Sequence, residues 1–231
     1  MRRRVDLLDL WRSLCVWTMV VWHACYDLEL FGVLPAGTMA RPVPMLVCYL
    51  GAGSFIFISG AVARFSRNSL RRGFLVFCAG AAVTLVTTLI GYPVAWGVLQ
   101  CLGVCMIVYG LTRERLEPLH GPALAVSAAV LFAGTWLLTD RVRVSAAWLY
   151  PLGLRRADFA SADYFPLLPW AFLFFLGLCF GKWIDHRRDR PPWDRSVPPA
   201  LTWCGRHSLA IYLLHQPLLY GACWLLAKRL P

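Results

Sequence analysis

Three ionisable residues inside one apolar stretch define the chemistry open to this chain. From Asp9 to Gly32 the sequence reads DLWRSLCVWTMVVWHACYDLELFG, long and apolar enough to cross a bilayer, yet it carries Arg12, His23 and Asp27. Ionisable groups at membrane depth are expensive and usually face a bundle interior or a wet cavity. At about 100° per residue, Arg12 and His23 fall within about 20° of the same helix face, with roughly 16 Å of rise between them. Asp27, four residues beyond His23, returns to that face. A guanidinium near one membrane surface suits a phosphate-bearing donor such as a nucleotide or coenzyme A. An imidazole deep in the membrane suits a general base or an acyl-accepting nucleophile, with the carboxylate orienting the ring and stabilising its cation. The plainer accounts are that Arg12 snorkels to headgroups and that His23 bonds a neighbouring helix.

A second constellation lies near the other end, in GRHSLAIYLLHQP at 205–217, which supplies Arg206, His207, Ser208, Tyr212, His215 and Gln216. Pro217 is expected to kink that helix or open its hydrogen-bond ladder. His215, beside it, either lines a polar cavity or satisfies the carbonyls freed there. Arg206 and His207 stand near the inner end, as a donor-side contact and a cavity residue or as interfacial anchors. Gln100 lines the cavity or makes a polar interhelical contact. Asp163, with Tyr164 at the same mouth, binds an acceptor or caps the helix that follows. His120 and His186 sit in basic loops and read as solvated.

The elements that position these groups are membrane spans. The chain of 231 residues is 59% hydrophobic and 15% charged, too apolar for a soluble domain, and several runs reach the roughly 20 residues a hydrocarbon core requires. The expected fold is an all-α polytopic membrane protein with a single domain over 1–231. About seven spans are expected near 9–31, 42–63, 73–90, 94–111, 122–139, 164–182 and 201–226. The first run is too long and too charged for a cleavable signal peptide. Arg2, Arg3 and Arg4 flank its start, placing the N-terminus in the cytoplasm and, after seven crossings, the C-terminus outside. Of the 23 Lys and Arg residues, sixteen then fall on the inner side and seven on the outer, in accord with the orientation rule.

The net charge of +11 is spread over short loops, so nucleic acid is not an expected partner. The nine cysteines lie mostly within apolar runs and read as structural. Cys101 and Cys105 are four apart and do not form a CxxC motif, and no metal site is expected. In the second span, GAGSFIFISGA places Gly51, Gly53, Ser54, Ser59 and Gly60 where helices can approach closely. The segment from Asp140 to Asp163 is longer than an ordinary connection and is expected to cap another element.

These motifs resemble small bacterial proteins related to lysosomal heparan-α-glucosaminide N-acetyltransferase. The Asp9-x-x-Arg12 start and the His23-x-x-Tyr26-Asp27-Leu28 end match, as do GSFIFISGA at 53–61, WGVLQCLG at 96–103, DYFPLLPW at 163–170 and GRHSLAIYLLHQP. The Arg12-x10-His23 spacing also resembles the wider superfamily of membrane O-acyltransferases that modify cell-envelope sugars. The resemblance implies acyl transfer in the inner membrane, from cytosolic acetyl- or another acyl-coenzyme A to a cell-envelope sugar or lipid-linked acceptor. His23 would be the catalytic histidine, aided by Asp27, and Arg12 and Arg206 donor-side contacts. No bound cofactor is implied, and self-association is compatible with it. Ser13 replaces the glycine that usually follows the arginine and reads as a packing change. The loop at 32–41 has no histidine to match the lysosomal enzyme's acetylated one, so direct transfer with His23 as base is the expected course. Two other classes remain open: a haem-binding electron-transfer protein with His23 and His215 as axial ligands, and a transporter, for which no inverted repeat is visible. A retinal-type protein is disfavoured, because Lys182 and Lys228 lie at span ends.

Overall fold

The computed structural model describes residues 5–118, 121–161 and 163–229, so Arg2, Arg3, Arg4 and His120 lie outside the described residues. Among the described residues it contains eight α-helices: α1 Asp6–Leu30, α2 Pro42–Ala63, α3 Ser69–Leu89, α4 Val98–Leu116, α5 Pro122–Arg141, α6 Leu167–Asp185, α7 Pro199–Arg206 and α8 Ser208–Ala227. A short 3-10 helix, Ala147–Leu152, interrupts the long connection before α6, and a single parallel bridge pairs Arg143 with Arg155.

Local chemistry accounts for the helix limits. Asp6 and Asp9 place negative charge in the first turn of α1, where the helix dipole favours it. After α1, Gly32 turns the chain at φ +76°, a left-handed conformation costly for a residue with a Cβ. Glu29 then holds the turn by accepting from the backbone N–H groups of Gly37 at 2.7 Å and Met39 at 2.6 Å. Asn68 caps α3 by accepting from Arg71 N, and α5 opens on Pro122, which is preorganised for a first turn.

Five helices, α2, α3, α5, α6 and α8, are long and apolar enough to cross a membrane, where the sequence pattern led us to expect seven. The other two expected spans are helical but more polar. α1 has 25 residues, ample length, but Arg12, His23 and Asp27 lie within it. The last turns of α4 carry Arg113, Glu114 and Arg115. The expected seventh span is two helices: the chain breaks at His207, whose φ is −107° and ψ 20°, and α8 then continues through Pro217. The break therefore lies ten residues before the proline expected to cause it.

The chain divides into two compact units, residues 1–55 with 188–231 and residues 56–187. In the first, α1 packs against α7 and α8. Arg12 meets Ser208, His23 meets His215 and Phe31 meets Tyr220, so α1 and α8 run in the same direction. A Cβ on Gly205 of α7 would overlap the carbonyl of Asp9, so the two backbones touch. In the second unit, α3 packs on α4 and α5 on α6. Gly177 of α6 lies against the carbonyl of Phe57, and Gly60 against that of Phe174, the close approach that small residues permit between helices in lipid.

Substituting Gly177 by Ala drives a methyl group into the Phe57 backbone, and overpacking of this kind typically costs about 1–3 kcal/mol. Gly134 of α5 has nothing within 4 Å of its added Cβ, so Gly134→Ala gains helix propensity of up to about 1 kcal/mol. Thermal melting of the detergent-purified protein should fall for the first variant and hold or rise for the second. Equal melting temperatures would contradict the packing described.

Candidate functional site

Two polar levels lie along α1, both within the first unit. The lower one joins α1 to α7 and the start of α8. Arg206 Nε donates to Asp9 Oδ2 at 3.2 Å and its Nη2 to Asp6 Oδ1 at 3.2 Å. Arg12 lies 3.8 Å from the other oxygen of Asp9 and donates through Nη2 to the hydroxyl of Ser208. Ser13 Oγ donates to Asp9 O at 3.1 Å and accepts from the backbone N–H of Gly205 at 2.8 Å. The serine read as a packing change is therefore a hydrogen-bonded link between α1 and α7. Arg206, expected to hold the donor, already has two carboxylate partners. Asp6 was not singled out by the sequence reading, and Asp9 only as part of a motif. Their signal was the spacing of acids three and six residues before Arg12, which brings one of them to the guanidinium's own face.

The upper level joins α1 to the middle of α8. The rings of His23 and His215 stand edge to face, their centroids 4.9 Å apart and their planes at 69°. His23 Nδ1 is 2.9 Å from Met19 O, and His215 Nδ1 is 2.7 Å from Tyr212 O and 3.2 Å from Ile211 O. A carbonyl oxygen can only accept, so each ring carries a proton on Nδ1 and presents Nε2 outward. His215 is 7% exposed, and its Nε2 is buried without a hydrogen-bond partner. Tyr212 packs on the same ring at 5.6 Å.

Asp27, 1% exposed, does not orient His23 as expected. Its two carboxylate oxygens accept from Gln216 Nε2 at 2.9 and 3.2 Å, while the His23 ring is held by the Met19 carbonyl one turn back. Gln216 Oε1 is buried and unpartnered. His215 does not serve the carbonyl that Pro217 frees, which by helix geometry belongs to Leu213; its partners are Ile211 and Tyr212. Two imidazole rings in edge contact leave no room between them for a porphyrin, whose axial ligands need about 4 Å between nitrogens across the iron. Among the described residues no group of three or more His, Cys, Asp or Glu is placed to hold a metal ion.

The remaining expected site residues are placed otherwise. His207 is exposed at the α7–α8 break, bonded to Trp203 O at 2.9 Å with its ring 4.5 Å from Trp203. In the second unit, Gln100 Nε2 donates to Gly80 O at 3.0 Å and Thr84 Oγ1 at 2.6 Å, which is the interhelical contact and not a cavity lining. Asp163 does not cap α6, whose N-cap is Pro166 with no side-chain bond. Its Oδ2 would instead lie 2.8 Å from a Cβ on Gly97, the N-cap of α4, where negative charge suits the helix dipole. Tyr164 donates to Tyr150 O at 2.6 Å. Burial pushes its phenol up to about 12, against the opposing pull of Arg155 and Arg143. His186 is exposed.

A family model described as heparan-alpha-glucosaminide N-acetyltransferase, catalytic, matches residues 4–217. The match takes in both polar levels and ends on Pro217. No curated protein matches the chain, and no solved structure does.

Ser13→Ala removes both hydrogen bonds of that hydroxyl and should cost about 1–2 kcal/mol. Ser13→Thr, which keeps the hydroxyl, should recover part of the loss. Thermal melting of the two variants checks this, and an unchanged Ser13→Ala protein would show that the link contributes nothing.

Proposed function

The chain belongs to the family of heparan-α-glucosaminide N-acetyltransferase catalytic domains, and on that premise we propose that it is a multi-pass membrane acyltransferase. It moves an acetyl or other acyl group from acyl-coenzyme A to an acceptor of the cell envelope. The observation that carries this reading is the His23–His215 pair, with both Nδ1 atoms engaged and both Nε2 atoms left for a substrate. The acceptor attacks the thioester carbonyl while His23 Nε2 takes its proton. The new bond to the acyl carbon forms, the C–S bond breaks, and that proton ends on the departing sulfur. A positioned base of this kind contributes about 10²–10⁴-fold.

Arg12 is the donor-side cation. It stands one level below the histidines on the same face of α1, about 16 Å of helix rise away, a separation that suits an extended donor whose phosphates and thioester lie far apart. Arg206 leaves the donor-binding set, because it is hydrogen-bonded to both Asp6 and Asp9 at 3.2 Å, whereas Arg12 stands 3.8 Å from Asp9. Asp27 acts through charge and not through contact with the His23 ring, favouring positive charge on the imidazole beside it.

The upper level is rich in acceptors: two imidazole Nε2 atoms, Gln216 Oε1 and the Asp27 carboxylate. A protonated amine, with three donors and a positive charge, complements that set better than a hydroxyl with one donor. An amino sugar of the envelope is therefore the acceptor class. The common direction of α1 and α8 is that of the first and last of an odd number of crossings. It supports an odd number of spans, of which seven is our reading; the excess of Lys and Arg in the loops on the N-terminal side supports an N-terminus in the cytoplasm and a C-terminus outside the inner membrane.

Thiol release from acetyl-coenzyme A, with an extract of envelope lipids and sugars as acceptor, tests this function. His23→Ala should lower extract-dependent release by at least about 100-fold while melting like the wild type. Equal release from the two proteins would remove His23 from the mechanism.

A further inference from the structure

We propose that His215 is a second base, which removes the proton converting the acceptor's ammonium to a free amine before His23 removes the proton lost on attack. The proposal rests on the acyl-transfer reading and adds a proton count to it. An amine acceptor arrives largely as R–NH3+. Acylation by R′–C(O)–S–CoA yields R–NH–C(O)–R′, CoA–SH and one free proton. The N–C bond forms and the C–S bond breaks. Two protons leave nitrogen, of which one ends on sulfur and the other in solvent. A hydroxyl acceptor loses a single proton, which ends on sulfur, and releases none. One base suffices for the hydroxyl; the ammonium needs two deprotonations.

The upper level supplies two. Both rings are fixed in the same tautomer by carbonyls of their own helices, and the only hydrogen bond of His23 among the described residues is the one through Nδ1. His215 Nε2, like Gln216 Oε1 beside it, is a buried polar atom with no hydrogen-bond partner among the described residues, on a side chain 7% exposed. A buried nitrogen left unsatisfied is costly, and a substrate N–H removes that cost. Two cationic rings 4.9 Å apart repel each other, so the proton on His215 must leave before His23 is charged, and the two deprotonations are sequential.

The groups around His215 are few. α1 contributes His23 and, bonded to the neighbouring Gln216, Asp27; α8 itself contributes Tyr212 and, further along and against Ala24 O, the thiol of Cys223. Asp27 is the one carboxyl group among them, hydrogen-bonded to Gln216 of α8. The part of α2 in this unit, residues 42–55, has only Cys48 and Tyr49 as titratable side chains. α7 offers Cys204 and Arg206, the latter facing the lower level, and His207 stands at the exposed break.

The test uses the full chain in detergent micelles with acetyl-coenzyme A, glucosamine as the amine probe and glucose as its hydroxyl counterpart, followed by thiol release across pH. His215→Gln and His215→Asn are both made, and the one melting closest to the wild type is carried forward. With glucosamine, that variant should lose about 100-fold below the amine's pKa. The deficit should then shrink about tenfold per pH unit as free amine accumulates, whereas the His23→Gln deficit stays constant. In weak buffer below that pKa, the wild type should release one proton per thiol. A His215 variant whose profile parallels the wild type, unchanged or lowered by one factor at every pH, would overturn the second base and leave acyl transfer by His23 standing. Wild-type protein that releases thiol with neither probe would overturn acyl transfer to a sugar amine or hydroxyl, and the second base with it.

Discussion

The contact on which the rest depends is that of Gly205 with the backbone of Asp9. With no side chain between them, α7 lies directly on α1, and the hydroxyl of Ser13 spans the contact with two hydrogen bonds. That contact sets the register of everything above it. A slip of one residue along a helix moves its side chains by about 1.5 Å and turns them by about 100°. Such a slip would separate Arg206 from Asp9, Arg12 from Ser208 and, further up, His23 from His215. Gly205 and Ser208, three residues apart on either side of the break at His207, both face α1. Two of the sequence blocks that carry the family likeness, Asp9-x-x-Arg12 and Gly205-Arg206-His207-Ser208, are thus complementary surfaces of one joint.

The two levels handle charge in opposite ways. In the lower one, the two guanidiniums of Arg12 and Arg206 meet the two carboxylates of Asp6 and Asp9, so the charges balance among fixed groups. In the upper one, the Asp27 carboxylate is held by a neutral amide, and no fixed cation is paired with it. An ionised carboxylate in a low-dielectric setting strongly favours a nearby positive charge. The lower level is therefore balanced among its own groups, with Arg12 at its edge, whereas the carboxyl group of the upper level is matched by a neutral amide.

Much of the helical layout was legible in the sequence because hydropathy and Gly/Pro punctuation report on each segment alone. The second span was anticipated at 42–63 and α2 is Pro42–Ala63; the fifth was anticipated at 122–139 and α5 is Pro122–Arg141. The common face of Arg12, His23 and Asp27 was legible too, from helical periodicity. Partner choice was not. Asp27 is equally spaced to serve His23 or a residue on another helix, and only the packing of α8 selects Gln216. Pro217 was read as a break because proline removes an N–H donor, yet one missing hydrogen bond leaves the rest of a 20-residue helix intact. The actual break lies at His207, and no proline or glycine at that position marks it in the sequence. Gln100 and Asp163 were legible as polar groups in apolar surroundings, but not as partners of Gly80 and of the α4 N-terminus.

The helix that organises the first unit is one that length and hydropathy alone do not mark as a span. α1 is longer than any of the five that meet that criterion, and what lowers its hydropathy are the residues of the two levels: Arg12 below, His23 and Asp27 above. Each of those groups would be costly in lipid, and each instead finds a specific partner on α7 or α8. The polar content that disqualifies α1 as a simple apolar rod thus fixes its place against two other helices. An apolar stripe would tolerate sliding against its neighbours, since lipid tails and leucine side chains are nearly equivalent partners. Arg12 on Ser208 and Asp27 on Gln216 do not tolerate it, because a buried charge without its partner is worse than either alternative packing. The same residues that make α1 too polar for a simple span therefore fix its register, and the contact of the His23 and His215 rings exists only when α8 is seated on α1.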